Sequence, residues 1–70
     1  MRTDARVRYT KMVIKNSFAK LLAEKPLAKV TVKEICELSE INRATFYKYY
    51  CDPFDLLDKI EQEFLNELEE

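Results

Sequence analysis

The chain has seventy residues and not one glycine. Average usage is about 7%, so the absence constrains what can be built. Tight hairpins draw on Asn-Gly or Gly-X turns, and phosphate-cradling loops need several glycines. An all-β fold is therefore disfavoured and an all-α one expected. The length allows one small domain, whose core supplies no more than about 3–5 kcal/mol of net stability.

Histidine is absent too. Without an imidazole there is no Ser-His-Asp or Cys-His nucleophile. Cys36 and Cys51 lack the partners to close a zinc site. No enzyme activity, metal or cofactor is expected. Two cysteines without a signal peptide read as free thiols in a reducing cytoplasm. The apolar runs are too short to cross a membrane, and the opening MRTDARVR lacks the apolar stretch of a secretory signal. The expected location is cytoplasmic.

The net charge of −1 conceals a segregation. Residues 1–50 carry eleven Lys or Arg against five acids, a balance of +6. Residues 51–70 carry eight acids against Lys59 alone, a balance of −7. A polyanion responds to the local field rather than to the total. The first fifty residues thus suit a negatively charged partner.

Four helices are predicted, over about 7–24, 32–39, 43–50 and from 53 onward. In the first, Ile14, Phe18, Leu21 and Leu22 share one face. Its start falls near Arg6 or Thr10, with Thr3, Asp4 and Thr10 as possible caps, and Pro26 ends it. Leu27 and Val30 act as apolar plugs in the connection. Thr31-Val-Lys-Glu34 is a capping box, followed by Val32, Ile35, Cys36 and Ser39 at helical spacing. Asn42 caps the third helix. There Phe46 and Tyr50 face inward, while Arg43, Thr45, Tyr47, Lys48 and Tyr49 stay outside. Asp52-Pro53 opens the fourth, a capping acid before a proline at N1. Phe54, Leu57, Ile60 or Glu61, Phe64 and Leu68 follow at three- and four-residue spacing. The expected core is Ile14, Phe18, Leu21, Leu22, Val32, Ile35, Cys36, Ile41, Phe46, Tyr50, Leu56, Leu57 and Ile60.

Helices two and three are joined by only Glu40-Ile41-Asn42, with a small residue, Cys36, where the second helix must approach. This is the plan of a helix-turn-helix, and equally of an ordinary helical hairpin. The aromatic third helix and acidic fourth helix also suit a protein–protein interaction module.

The stretch from Thr31 to Tyr50, TVKEICELSEINRATFYKYY, resembles the N-terminal DNA-binding region of TetR/AcrR-family transcriptional regulators. The Thr-Val opening, the Ile-small pair, the Thr-Phe-Tyr-x-Tyr-Tyr block, Leu56-Leu57 and the upstream Ile14, Leu21 and Leu22 carry the likeness, which covers about residues 10–60. The resemblance implies a three-helix, homeodomain-like helix-turn-helix domain over 1–52, the motif itself over about 32–50. Residues 53–70 would begin a helix linking to a C-terminal regulatory domain that this sequence lacks. It further implies sequence-specific binding of double-stranded DNA, at a pseudo-palindromic operator, by a regulator acting as a repressor. The complete protein would be a homodimer whose C-terminal domain takes a small-molecule effector. The seventy residues alone would be mostly monomeric or weakly dimeric, any dimer using Phe64 and Leu68.

Position by position, Thr31 would cap helix two beside the DNA backbone. Arg43, Ala44 and Thr45 would lie next to base edges, and Tyr47 would touch phosphate with Lys48 and Tyr49 beside it. Arg6, Arg8 and Lys11, at the basic start of helix one, would hold the backbone further. Side-chain chemistry agrees: Arg suits guanine O6 and N7, Thr a hydrogen bond or a thymine methyl, Tyr and Lys a phosphate. Two positions depart from the family pattern. Glu40 stands where its turn usually has glycine, and Asp52-Pro53-Phe54 replaces a Ser-Lys-Glu start whose lysine contacts phosphate.

Overall fold

The computed structural model describes the backbone of residues 2–69 and the side chains of residues 5–67. Among these, the chain is all-helical, with no strand. Four α-helices follow in order: α1 (Arg2–Glu24), α2 (Val32–Ser39), α3 (Arg43–Tyr49) and α4 (Pro53–Glu69). A single 3₁₀ turn over Leu27–Lys29 joins α1 to α2. α1 packs on α2, and α2 on α3.

α1 begins at Arg2, several residues before the predicted start. Thr10 therefore caps nothing; the side chains of Thr3 and Asp4 lie outside the described residues. No glycine or proline interrupts the segment before Pro26, so the helix simply propagates through its good helix-forming Arg and Ala residues. It closes before Pro26, with the Lys25 N–H donating to the Leu21 carbonyl at 3.0 Å.

The three later helices start where local chemistry dictates. At α2 the Thr31 hydroxyl accepts the Glu34 N–H, and the Glu34 carboxylate accepts the Thr31 N–H, both at 3.1 Å. Val30 and Ile35, on either side of this box, are both buried, the two positions of a hydrophobic staple. At α3 the Asn42 carboxamide oxygen accepts the Thr45 N–H at 2.8 Å. At α4 the Asp52 carboxylate accepts the Asp55 N–H at 2.7 Å, and the Asp55 carboxylate accepts the Cys51 N–H at 2.9 Å. Asp55 also holds Lys59 one turn on, at 2.9 Å.

The turn between α2 and α3 is a Schellman closure. The Ile41 N–H donates to the Cys36 carbonyl at 3.0 Å and the Glu40 N–H to that of Glu37 at 3.3 Å. The geometry requires a left-handed residue, and Glu40 supplies it with φ 60° and ψ 42°. A side chain there costs roughly 1 kcal/mol. Glu40→Gly is therefore expected to stabilise the fold by about 0.5–1 kcal/mol, net of the extra freedom glycine gives the unfolded chain. A urea midpoint that fell would show the strain to be relieved elsewhere.

The core comprises Ile14, Phe18, Leu21, Val30, Ile35, Cys36, Phe46, Tyr50 and Leu56. Leu22, Val32, Ile41, Leu57 and Ile60 pack around it half-buried rather than fully inside. Phe54 does not join α4's inner series: it is exposed, and Pro53 is buried beside it. Ile60, not Glu61, continues the inner face. Phe64 is 59% exposed, and the Leu68 side chain lies outside the described residues.

Ionisation ties the fold to pH at both ends. Lys25, the Thr31 N–H and the Thr31 hydroxyl hold the Glu34 carboxyl below its ordinary 4.5. The Cys51 N–H and Lys59 do the same for Asp55. A carboxyl lowered in the folded state contributes stability above its unfolded pKa and loses it as pH falls through the folded value. Burial, and then the charges of Glu63 and Asp55, push the Tyr50 phenol from 10 up to about 12. Its contribution is complete below pH 10 and is lost as pH rises towards about 12. Chemical denaturation across pH is expected to show a plateau that falls on both sides of this window. A plateau persisting unchanged above pH 12 would remove Tyr50 from the account.

Candidate nucleic-acid interface

α3 is short, ending at Tyr49 rather than at the expected Tyr50, and it stands because Phe46 and the extended C-cap residue Tyr50 are anchors. Phe46 has no exposed surface and Tyr50 is 3% exposed. Their rings lie 5.6 Å apart, and Phe46 meets Tyr47 edge-on at the same distance. Anchoring one face leaves Arg43, Ala44, Tyr47 and Lys48 on the other, all exposed. Tyr47 keeps 54% of its surface open. From Ile41 to Cys51 there is no acid. Neither Arg43 nor Lys48 is engaged in an ion pair among the described residues.

Thr45 is more committed than its neighbours. It is half-buried, and its hydroxyl donates to Asn42 at 2.9 Å. Its hydroxyl lone pairs and methyl are what it has left to offer. Thr31 is in the same position: exposed, but with its hydroxyl donating to the Glu34 carboxylate at 3.2 Å. Thr31 serves as the cap of α2, and Thr45 is held by the Asn42 cap of α3, whatever else they do.

Tyr49 departs from expectation. It is half-buried against the core and not fully outside, its ring 6.4 Å from that of Tyr50. Lys11, reaching across from α1, places its ammonium 5.5 Å from the centre of the Tyr49 ring, a cation–π contact. These two residues meet each other, which ties the basic half of α1 to α3. Arg6 and Arg8 stand exposed on the same half of α1. Lys15 is held by Glu63 of α4, and Lys25 by Glu34. The candidate cations therefore fall into two groups: Arg43 and Lys48 on α3, Arg6, Arg8 and Lys11 on α1.

Lys33, exposed on the first turn of α2 two residues beyond Thr31, is a further cation that the sequence reading passed over. Its exposed place beside a helix start was the available signal. The thiols offer little chemistry: burial pushes the Cys36 thiol up, the nearby Arg43 charge only partly opposing it, and Cys51 is free and exposed. Among the described residues no group of His, Cys, Asp or Glu could hold a metal ion, and no helix is long and apolar enough to cross a membrane.

No family model, curated protein or solved structure matches this chain.

Proposed function

We propose that this chain binds double-stranded DNA sequence-specifically, as the helix-turn-helix domain of a transcriptional regulator of the TetR/AcrR kind. α2 and α3 form the motif, and α3 enters the major groove. The observation that carries the reading is the outward face of α3: Arg43, Ala44, Tyr47 and Lys48, exposed and acid-free on a helix locked from behind by Phe46 and Tyr50. A capped helix that presents its first turn with an arginine suits base edges. Arg43 reads guanine, and Thr45 offers its methyl to thymine or its lone pairs to an amino group. Tyr47 and Lys48 hold phosphates, and so do Thr31 and, across the groove edge, Arg6 and Arg8. Lys11 contributes through its grip on Tyr49 as well as its charge. Following the resemblance, the target is a pseudo-palindrome read by two copies, and the regulator represses until an effector binds its regulatory domain.

Salt tests this directly. Binding to a selected duplex, followed by fluorescence anisotropy, is expected to weaken steeply as salt rises, because each neutralised phosphate releases counterions. Lys48→Ala should lower the affinity for every sequence and reduce the salt slope by about one. An unchanged slope would take Lys48 off the phosphate. The second reading, a protein-interaction module, is favoured by the exposed Phe64 and Leu65 on α4. An interface anchored by such residues is nearly indifferent to salt.

A further inference from the structure

The side of α1 turned away from the core carries a seam. Tyr9, Met12, Asn16, Ala19 and Ala23 are all exposed. Their spacing alternates between three and four residues, which lines them up along one face of a helix. Ile14, Phe18 and Leu21 hold the other face in the core. The seam is apolar except for Asn16, and Tyr9 and Met12 keep 64% and 49% of their surface open. Residues 5–23 include no acid. Arg8 and Lys20 flank the seam, exposed and outside any ion pair among the described residues. Lys11 and Lys15, engaged by Tyr49 and Glu63, are already committed.

α4 carries a complementary line. Phe54, Asp58, Glu61 and Leu65 follow at spacings of four, three and four, all exposed, while Pro53 and Leu56 are buried on the other side. The ends of the line are apolar, with Phe54 58% and Leu65 53% exposed. Its middle is acidic, and neither Asp58 nor Glu61 is in an ion pair among the described residues. Asp55, which holds Lys59, lies off this line, and so does Phe64.

We propose that this face of α4 docks antiparallel on the α1 seam of a second copy of the chain. Run in opposite directions, the two lines share one spacing. Leu65 falls on Met12, Glu61 on Asn16, Asp58 on Ala19 and Phe54 on Ala23. The match spans about 17 Å of each helix. Apolar side chains meet at both ends. Between them the Asn16 carboxamide donates to the Glu61 carboxylate, a polar pair of the kind that fixes register in an apolar seam. Lys20, next to Ala19, reaches Asp58. The turn after Leu65, with the exposed Glu67, then runs beside Tyr9 and Arg8. A parallel alignment would instead leave Tyr9 and Arg8 beyond the start of α4, bring Glu67 towards Glu24 and align the two helix dipoles. Two α4 faces would meet acid on acid. The chain itself supplies both halves, a seam flanked by cations and a line centred on acids in the same register, so a second copy is the occupant. The contact lies off α3 and does not rest on DNA binding.

Sedimentation equilibrium of the chain without DNA is the test, with circular dichroism to confirm that each variant is folded. A single helix pair makes a small interface, so the mass is expected to rise with concentration only in the high micromolar range. Met12→Ser and Leu65→Ser each remove an apolar contact and should weaken association at least about tenfold. Lys20→Glu and Asp58→Lys should each weaken it about fivefold. Combined in one chain, the two reversals restore the pair, and association should return to within about twofold of the parent. The proposal is overturned if the mass stays that of one chain at every concentration, which leaves the seam to a different protein. It is also overturned if Met12→Ser or Leu65→Ser associates like the parent, or if the double reversal associates no better than the single ones, as it would were α4 paired with α4.

Discussion

Phe46→Ala is expected to leave the domain largely unfolded at room temperature. The ring is fully buried and packs edge-on against Tyr47 and tilted against Tyr50. Truncating such a residue costs about 3–5 kcal/mol, and a core of this size supplies about the same amount in total. The far-UV circular dichroism at 222 nm should fall towards that of an unfolded chain without any urea. A variant that retained its helical signal and its urea midpoint would show that α3 is held by something other than this ring. Tyr47→Ala makes the instructive contrast. Its side chain is mostly exposed, so stability should move by no more than about 0.5 kcal/mol. Its effect should appear in DNA affinity instead, because on the proposed reading α3 folds through one face and binds through the other.

Arg43→Ala is expected to weaken the selected duplex by about 1–3 kcal/mol, or roughly 5- to 150-fold, and to relax preference at one base position. The residue is exposed at the first position of α3, immediately after the Asn42 cap, and makes no ion pair among the described residues. Nothing else in the fold depends on it, so the thermal midpoint should hardly change. Competition between the selected duplex and its single-base variants separates the outcomes. Equal loss on all sequences would make Arg43 a phosphate contact and move base reading to Thr45 or elsewhere. A loss confined to one base pair identifies the position it reads.

The legible parts of this protein are those that close within one helical turn. Thr31 and Glu34, Asn42 and Thr45, and Asp52 and Asp55 are each three residues apart. Their hydrogen bonds need no distant partner. The inward pairing of Phe46 and Tyr50 follows from the four-residue spacing of a helix. The left-handed Glu40 was legible as a departure, an acid where the resembled turn has glycine. The outward face of α3, and with it most of the candidate site, follows from the same periodicity.

What could not be read was long-range. Lys15 meets Glu63 across forty-eight positions, and Lys11 meets Tyr49 from α1 to α3. Neither spacing carries a periodic signal. The exposure of Phe54 depends on how α4 is rotated about its axis, and that rotation is set by burial of Pro53 and Leu56 with Ile60 half-buried behind them.

The sequence by itself determined that this protein is helical, where α2, α3 and α4 begin, and which side of α3 is apolar, because caps and periodicity are local and act before any helix meets another. Only the tertiary structure decided which cations remain outward and which are taken by Glu63, Glu34 or the Tyr49 ring. Those outcomes depend on the rotation and approach of packed helices, which are selected by the shared core rather than by any one segment.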